Sequence, residues 1–429
     1  MRLALVNPHW SFEGSIYFGC RAPHLPLELG STRLLLEREG HQVHLIDAHL
    51  CELSAAEVRD ELMAFRPDIT VVTTAPTYLF WRCAPPELRV PLSLIRAIDG
   101  AAGRIVAVGP HGSTTPRAAL AKLGVAAIVM GECEETLCRM AAGAAWEALP
   151  GLALHDETGT IRVNGGPQAT RFVDLPPLTW PADWVVRHDH HHHRFDVAPL
   201  GPGAEVETSR GCPYHCSFCA KENFRDAYRR RPAAAVIEEV ASLQEQGVEY
   251  VYFIDEIFLP NRPLLEGLLG RGLKFGVQTR IDLWKPEMLE LLGRAGCVSI
   301  EAGVESLTRE GRDALLKDCK LDTGELADRL VTAKRHVPFV QANLLEMPQD
   351  DEGLIETWRR RLGDAGVWAN DPVPLFPYPG SPDYRRLWGL PDDQAWERAV
   401  DHYLATFADF SDLQEARPKR LRELEAIAP

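Results

Sequence analysis

Three cysteines crowded into eight residues carry the strongest chemical signal in this 429-residue sequence. Cys212, Cys216 and Cys219 stand in the run SRGCPYHCSFCAK, spaced C-x3-C-x2-C, directly after an expected strand. Three thiolates on one tight loop can take three irons of a [4Fe–4S] cubane and leave the fourth iron open to an exchangeable ligand. A structural zinc site asks instead for a closed tetrahedral set of four, commonly built from C-x2-C pairs. No fourth ligand stands at such a spacing, although His215 inside the loop keeps zinc as the alternative. A coincidental group of structural thiols is the more remote alternative. The ten cysteines of the chain are too sparse for a disulfide scaffold, so their local crowding reads as a metal site.

The bulk composition narrows the partners. With 61 acidic against 46 basic residues the formal net charge is −15, and no lysine- or arginine-rich run is present. A nucleic-acid substrate is therefore not expected, because phosphate recognition needs a basic surface. No apolar stretch reaches the roughly 18–20 residues needed to span a bilayer, and the N-terminal MRLALVNPHW lacks a signal-peptide pattern. The expectation is a cytoplasmic protein with no membrane partner. His188 and the run His190–His193 read as a solvated connector, with a role at substrate or in adventitious metal binding as the alternative.

Elements that could position the cysteines follow from periodicity. In residues 1–140, expected strands at 3–7, 43–47, 69–75, 104–109 and 126–131 alternate with helical patterns at 25–40, 54–65, 90–99 and from Glu134 onward. Such alternation implies βαβ units and a parallel sheet whose ligands sit at the carboxyl ends of the strands. Residues 141–203 read as a linker with a hairpin (LALHDETGTIRVNGG) and the histidine-rich segment. A second series over 204–385 offers strands at 205–209, 248–255, 274–280, 297–305, 339–344 and 368–375, with helices at 231–247 and 285–296 among those between them. Six βα steps suggest an open barrel with its site at the carboxyl face. Residues 386–429 read as a helical C-terminal cap on that barrel, with Trp396, Tyr403, Phe407 and Phe410 as packing aromatics. The expected class is α/β: a Rossmann-like domain, a partial (β/α)6 barrel and a helical cap.

The cysteine loop and the strands after it resemble the radical S-adenosylmethionine (SAM) superfamily. The resemblance implies that the open iron chelates the amino and carboxylate groups of SAM. Phe218 matches the aromatic that lies near the adenine, and Ile254-Asp255-Glu256 matches the strand end that receives the methionine amino group. Gln278 and Arg280 end the third strand, and SIEAGVES resembles the segment near the ribose, carrying Glu301, Glu305 and Ser306. PYPGSPDY (377–384) is similar to a turn that ends many family barrels. The plain alternatives are a solvated strand end for Asp255 and Glu256, and an ion pair with Arg280 for Glu301.

The first domain resembles the cobalamin-binding domain of cobalamin-dependent radical SAM enzymes, in an uncharacterised bacterial subgroup. The carrying features are Asn7-Pro8, GHQVHLIDAH (40–49), VGPHGSTTP (108–116), MGECEETL (130–137) and SIYFGCRAPHLPLELG. By that resemblance Asn7, Thr74, Gly109, His111, Gly131 and Glu132 are candidate cobalamin contacts. Other cobalamin folds place D-x-H-x-x-G after the first strand to ligate cobalt. Here the position reads NPHWSFEG, and Asp47-Ala48-His49 follows the second strand without the glycine, so no histidine is expected on the cobalt. An ordinary doubly wound domain without cobalamin is the alternative.

The resemblance implies an enzyme with a [4Fe–4S] cluster, SAM and cobalamin that moves a methyl group to an unactivated carbon of a small metabolite or sugar. Its electron donor would be of flavodoxin or ferredoxin type. Oxidation, ring contraction or cyclisation with the same cofactors is the second reading. A methylthiotransferase with a second cluster on N-terminal cysteines, or a non-catalytic sensor, is more remote. Tyr252, Gln341, Asn343 and Asp371 join Gln278 and Arg280 as candidate substrate contacts, while Cys297 and Cys319 read as structural.

Overall fold

Ile69–Thr73, with the sequence ITVVT and buried at every position, has the character of a parallel strand covered on both faces. Four similar runs join it. The computed structural model describes residues 1–16, 23–77, 84–187, 202–406 and 418–426. His188, His190–His193, Cys20, Cys83, Phe407 and Phe410 lie outside the described residues. The chain packs as two units, one of Met1–Trp180, Ala220–Asp226 and Pro377–Pro429, the other of Pro181–Cys219 and Ala227–Phe376.

In the first unit the strands are β1 (Arg2–Asn7), β2 (Gln42–Asp47), β3 (Ile69–Thr73), β4 (Arg104–Val108), β5 (Ala127–Val129), β6 (Leu152–His155) and β7 (Ile161–Asn164), in the order β2-β1-β3-β4-β5-β6-β7. The first five run parallel, and the last two return antiparallel. The winding reverses between β1 and β3, so the carboxyl ends of those strands flank the crevice in which such sheets take ligands. Ala4, Val6, Val72, Ala107 and Ile128 pack against Val58, Leu62, Leu94, Ile98 and Leu120 from the helices Ala55–Phe65, Arg89–Ile98 and Pro116–Leu123. Each fully buried aliphatic side chain contributes about 1.5–3 kcal/mol. Ser54 and Glu57 cap the first of these helices reciprocally, satisfying amides that the helix leaves bare.

Two outcomes differ from the sequence expectation. The hairpin expected within the linker extends the first sheet as β6 and β7. The tail expected to cap the barrel belongs to the first unit instead. Trp396 stacks on His111 with ring centroids 4.9 Å apart and donates its indole N–H to Thr115 at 3.2 Å. Lys122 then pairs with Glu397 at 2.8 Å and with Glu425 at 2.9 Å. An aromatic anchor and a lysine between two carboxylates thus give the tail its seat.

The second unit holds six parallel strands, β8 (Gly203–Val206), β11 (Tyr250–Phe253), β12 (Lys274–Thr279), β13 (Cys297–Glu305), β14 (Phe339–Leu344) and β15 (Trp368–Ala369), in the order β15-β14-β13-β12-β11-β8. A short ladder of β9 (Ser209–Arg210) and β10 (Arg229–Arg230) stands beside them. The strand expected at 368–375 stops at Ala369. There the Asn370 side chain bonds both backbone groups of Leu344, at 2.7 and 3.1 Å, and pairing beyond Ala369 returns as the isolated bridge between Leu345 and Val373. Phe253, Phe258, Phe275 and Trp284 form an aromatic stack under the sheet, with neighbouring ring centroids 5.2–6.1 Å apart. No helix among the described residues is long and apolar enough to cross a membrane.

Two glycines at the carboxyl edge of the first sheet are required by the protein's own packing. Gly109 (φ 135°) would place a Cβ 2.3 Å from Thr74 Oγ1, and Gly131 (φ 80°) would place one 2.2 Å from the Gln168 carbonyl oxygen. Backbone strain and overlap of this kind cost about 1–3 kcal/mol each. Gly109→Ala and Gly131→Ala are each expected to lose about 2 kcal/mol in urea unfolding of the full chain. A loss below ~0.5 kcal/mol would mean that the edge yields more easily than its geometry implies.

Candidate functional site

Gly211, with φ 77°, turns the chain out of β9 and starts the cysteine loop. Its N–H donates to Glu256 at 3.0 Å. Just upstream, Asp255 accepts from the Thr208 amide at 2.6 Å, the Thr208 hydroxyl at 2.5 Å and the Ser209 hydroxyl at 2.7 Å. Asp255 is 1% exposed, so Asp255 and Glu256 brace the root of the loop from the end of β11. Burial pushes the Asp255 carboxyl up to about 7 against the pull of these hydrogen bonds.

Within the loop Cys212, Cys216 and Cys219 are each half-buried. The Ser217 amide donates to the Leu315 carbonyl at 2.9 Å, and the Cys219 amide to the Cys216 carbonyl at 3.2 Å. Arg280 lies over the Tyr214 ring, 4.0 Å from its centroid. Burial pushes the Cys216 thiol up, while the charges of Lys317 and Arg280 favour its thiolate. Phe218 is half-buried beside these residues in sequence. Among the described residues no three Cys, His, Asp or Glu side chains converge on a single ion. A cubane takes one thiolate per iron, and the three cysteines of this loop supply a donor set of that kind.

Strand register brings a second group of expected residues together. Gln278, Glu301 and Gln341 are neighbours across β12, β13 and β14, on one face of the sheet. The Oε1 atoms of Gln278 and Gln341 are buried without a hydrogen-bond partner, and Gln341 donates to Asn343 through Nε2. A polar row with unused acceptors suits a polar ligand, since buried polar atoms are rarely left unpaired. Arg280 pairs with Asp282 at 2.8 Å, not with Glu301. Glu305 pairs with Lys317, and the Ser306 hydroxyl donates to Asp350 at 2.8 Å.

In the first unit, all six expected corrin contacts lie at the carboxyl ends of strands. The Asn7 side chain donates to Asp47 at 2.9 Å and accepts from the Trp10 indole at 2.8 Å. Thr74 Oγ1 is buried with no hydrogen-bond partner. His111 is fully covered, and burial lowers its pKa to about 4, so its ring is neutral near pH 7. Glu132 accepts the Thr170 amide at 2.7 Å and lies 3.4 Å from Arg225, which also lies 3.6 Å from Glu28. The open polar atom at Thr74 and the two glycine turns fit a cofactor edge; Glu132 is engaged by protein groups.

Residues 206–357 match the model of the radical SAM superfamily. The chain carries a radical SAM domain. That superfamily binds SAM and a [4Fe–4S] cluster, and the domain match spans the cysteine loop and β11 to β14. Over 415 residues the chain is 28% identical to the anaerobic magnesium-protoporphyrin IX monomethyl ester cyclase of Cereibacter sphaeroides, which covers 90% of the chain and 64% of that relative. The chain thus spans less than two thirds of the length of this relative. The radical SAM methyltransferase TsrM of Kitasatospora setae, solved with tryptophan and a SAM analogue, superposes with a TM-score of 0.69 at 20% identity, over 89% of this chain and 74% of TsrM. The cobalamin-dependent radical SAM enzyme OxsB, solved with aqua-cobalamin and SAM, gives a TM-score of 0.68 at 19% identity, over 92% of this chain and 56% of OxsB. These structural likenesses show a shared α/β fold.

Around the radical SAM loop, the sequence did not single out Tyr214, Asp282 or Lys317. The spacing Arg280-x-Asp282 and the aromatic inside CPYHC were the available signals for the first two. Lys317 sits in a run, LLKDCK, that looks like ordinary helix surface.

Because the folded Asp255 titrates near 7 and an ordinary aspartate near 3.8, its contribution to stability is complete below about pH 4 and is lost as pH rises through 7. Asp47, also raised to about 7 by burial, acts in the same window. In urea titrations of the apoprotein, wild type is expected to lose stability between pH 5 and 7.5, and Asp255→Asn to lose less. Identical pH slopes for the two proteins would refute the buried-acid assignment.

Proposed function

We propose that this chain is a cobalamin-dependent radical SAM enzyme that transfers a methyl group to an unactivated carbon of a small metabolite or sugar. The observation that carries the reading is the braced three-thiol loop at the carboxyl end of a parallel βα series, in a chain with a second, largely parallel sheet. Cys212, Cys216 and Cys219 would each hold one iron. Phe218 would lie against the adenine, and Gln278, Arg280, Glu301, Glu305 and Ser306 would orient SAM and substrate from the strand ends. Asp255 and Glu256 would act from beneath, by stiffening the loop. Asn7, Thr74, Gly109, His111, Gly131 and Glu132 would shape the corrin edge. No histidine is assigned to the cobalt: His49 accepts the Trp10 amide at 3.3 Å, and His111 packs on Trp396. When bound, the cluster supplies the electron that cleaves SAM and the corrin the methyl group; the protein supplies position and exclusion of water. A flavodoxin- or ferredoxin-type protein is the proposed electron donor.

Retention of both cofactors with a non-methylating outcome is the second reading, favoured by the likeness to a cyclase. A second cluster of methylthiotransferase type is the more remote reading, because the loop after β4 offers Pro110 and His111 where a cluster cysteine would be expected.

Anaerobic reconstitution with iron, sulfide and hydroxocobalamin tests the proposal. Wild type is expected to keep corrin through gel filtration and to show a visible cluster band that the Cys212/Cys216/Cys219→Ala variant lacks. With SAM, reductant and substrate, 5′-deoxyadenosine together with S-adenosylhomocysteine marks methyl transfer; deoxyadenosine alone marks the second reading. A cluster band without retained corrin would remove cobalamin from the proposal.

A further inference from the structure

Beside the cysteine loop the usual order of burial is inverted. Leu316 is 60% exposed, whereas Lys317 is 3% exposed. The inversion is made by the backbone: Leu316 (φ 52°) and Asp318 (φ 53°) are both left-handed, and neither is glycine. Such residues cost about 1–3 kcal/mol each and persist where surrounding structure enforces them. Here they turn one lysine inward and its two neighbours outward.

What Lys317 meets inside is Glu305, with which it forms a close ion pair. Glu305 is itself left-handed (φ 61°), at the point where β13 shifts register against β14. Its carboxylate folds back over Gly303, where a Cβ would lie 2.9 Å from Glu305 Oε1. Three strained non-glycine residues therefore serve one buried pair. The pair adjoins the cysteine loop, because the Leu315 carbonyl, two residues before Lys317, holds the amide of Ser217 next to Cys216. Lys317 and Arg280 act on the Cys216 thiol as neighbouring positive charges and Glu305 as a negative one. The other nearby cation, Arg280, is already paired with Asp282.

We propose that Lys317 and Glu305 set the reduction potential of the cluster held at Cys216, Lys317 raising it and Glu305 lowering it; this rests on the reading of the loop as a [4Fe–4S] site. Reduction delivers one electron from a one-electron donor to the cluster and moves no proton, so the site becomes more negative by one charge. A buried ammonium beside a thiolate ligand stabilises that added charge, and a carboxylate opposes it. Both are positioning residues for the cluster's charge; they need not touch the reacting carbon.

The experiment is an EPR-monitored potentiometric titration of reconstituted holoenzyme without SAM, in wild type, Lys317→Gln, Lys317→Arg and Glu305→Gln. At a fixed poise near the wild-type midpoint, Lys317→Gln is expected to cut the ratio of reduced to oxidised cluster about tenfold, a shift of ~59 mV to more negative potential for one electron. Glu305→Gln is expected to move the ratio the opposite way, and Lys317→Arg to stay near wild type. Midpoints unchanged in both glutamine variants, or moved in the same direction, would overturn the proposal and leave a purely structural pair. If Lys317→Gln fails to fold, the sign of the Glu305→Gln shift alone decides. Wild type that assembles no cluster signal would instead refute the loop's assignment, a failure separable from the first.

Discussion

The three-cysteine loop depends on two carboxylates at the end of β11 that face backbone and hydroxyls. Asp255 fixes Thr208 and Ser209, and Glu256 fixes Gly211, so the residues immediately before Cys212 are tied to the end of β11. The bracing continues outward through pairs. Arg210, with no exposed side-chain surface, bonds Glu207 at 2.8 Å, and Arg231 bonds Glu239 at 2.6 Å while donating to the Glu207 carbonyl at 2.9 Å. Each pair leaves an uncompensated buried charge if one partner goes, a loss of about 3–5 kcal/mol. The loop is thus rigid because its surroundings are expensive to rearrange.

The first unit uses the same economy for a different end. Asp47 at the end of β2 takes the Asn7 side chain, the amides of His49 and Leu50, and so orders the chain after both β1 and β2. Asn7 in turn carries the indole of Trp10. The crevice where winding reverses is therefore shaped by short polar side chains inside the sheet edge, with glycines where backbone must pass close to Thr74 and Gln168.

Periodicity made most of both sheets legible. β13 and β14 match their expected ranges residue for residue, since Cys297–Glu305 and Phe339–Leu344 are continuous β-rich runs bounded by breakers. β15 was overread because the Asn370 side chain takes the backbone groups of Leu344, so pairing breaks after Ala369 and returns as the isolated bridge at Val373. The tail was misplaced because helical periodicity reports that a face is buried without saying against what; Trp396 finds His111, nearly three hundred positions earlier in the chain. In the site, the cysteine loop was legible from spacing alone, and register then aligned Gln278 with Glu301. Lys317 was invisible, because its inward turn depends on two left-handed residues whose types, leucine and aspartate, announce nothing of the kind.

The first unit is stitched from three separate stretches, Met1–Trp180, Ala220–Asp226 and Pro377–Pro429, while the second is made entirely between them. During synthesis the N-terminal sheet must wait for Trp396 and Glu397 before its last helices can close. The six-stranded sheet, whose strands are all complete by Ala369, has no such wait. For the same reason no single cut releases the first unit whole: a fragment ending near residue 180 would lack both the Arg225 ion cluster and the aromatic seat on His111.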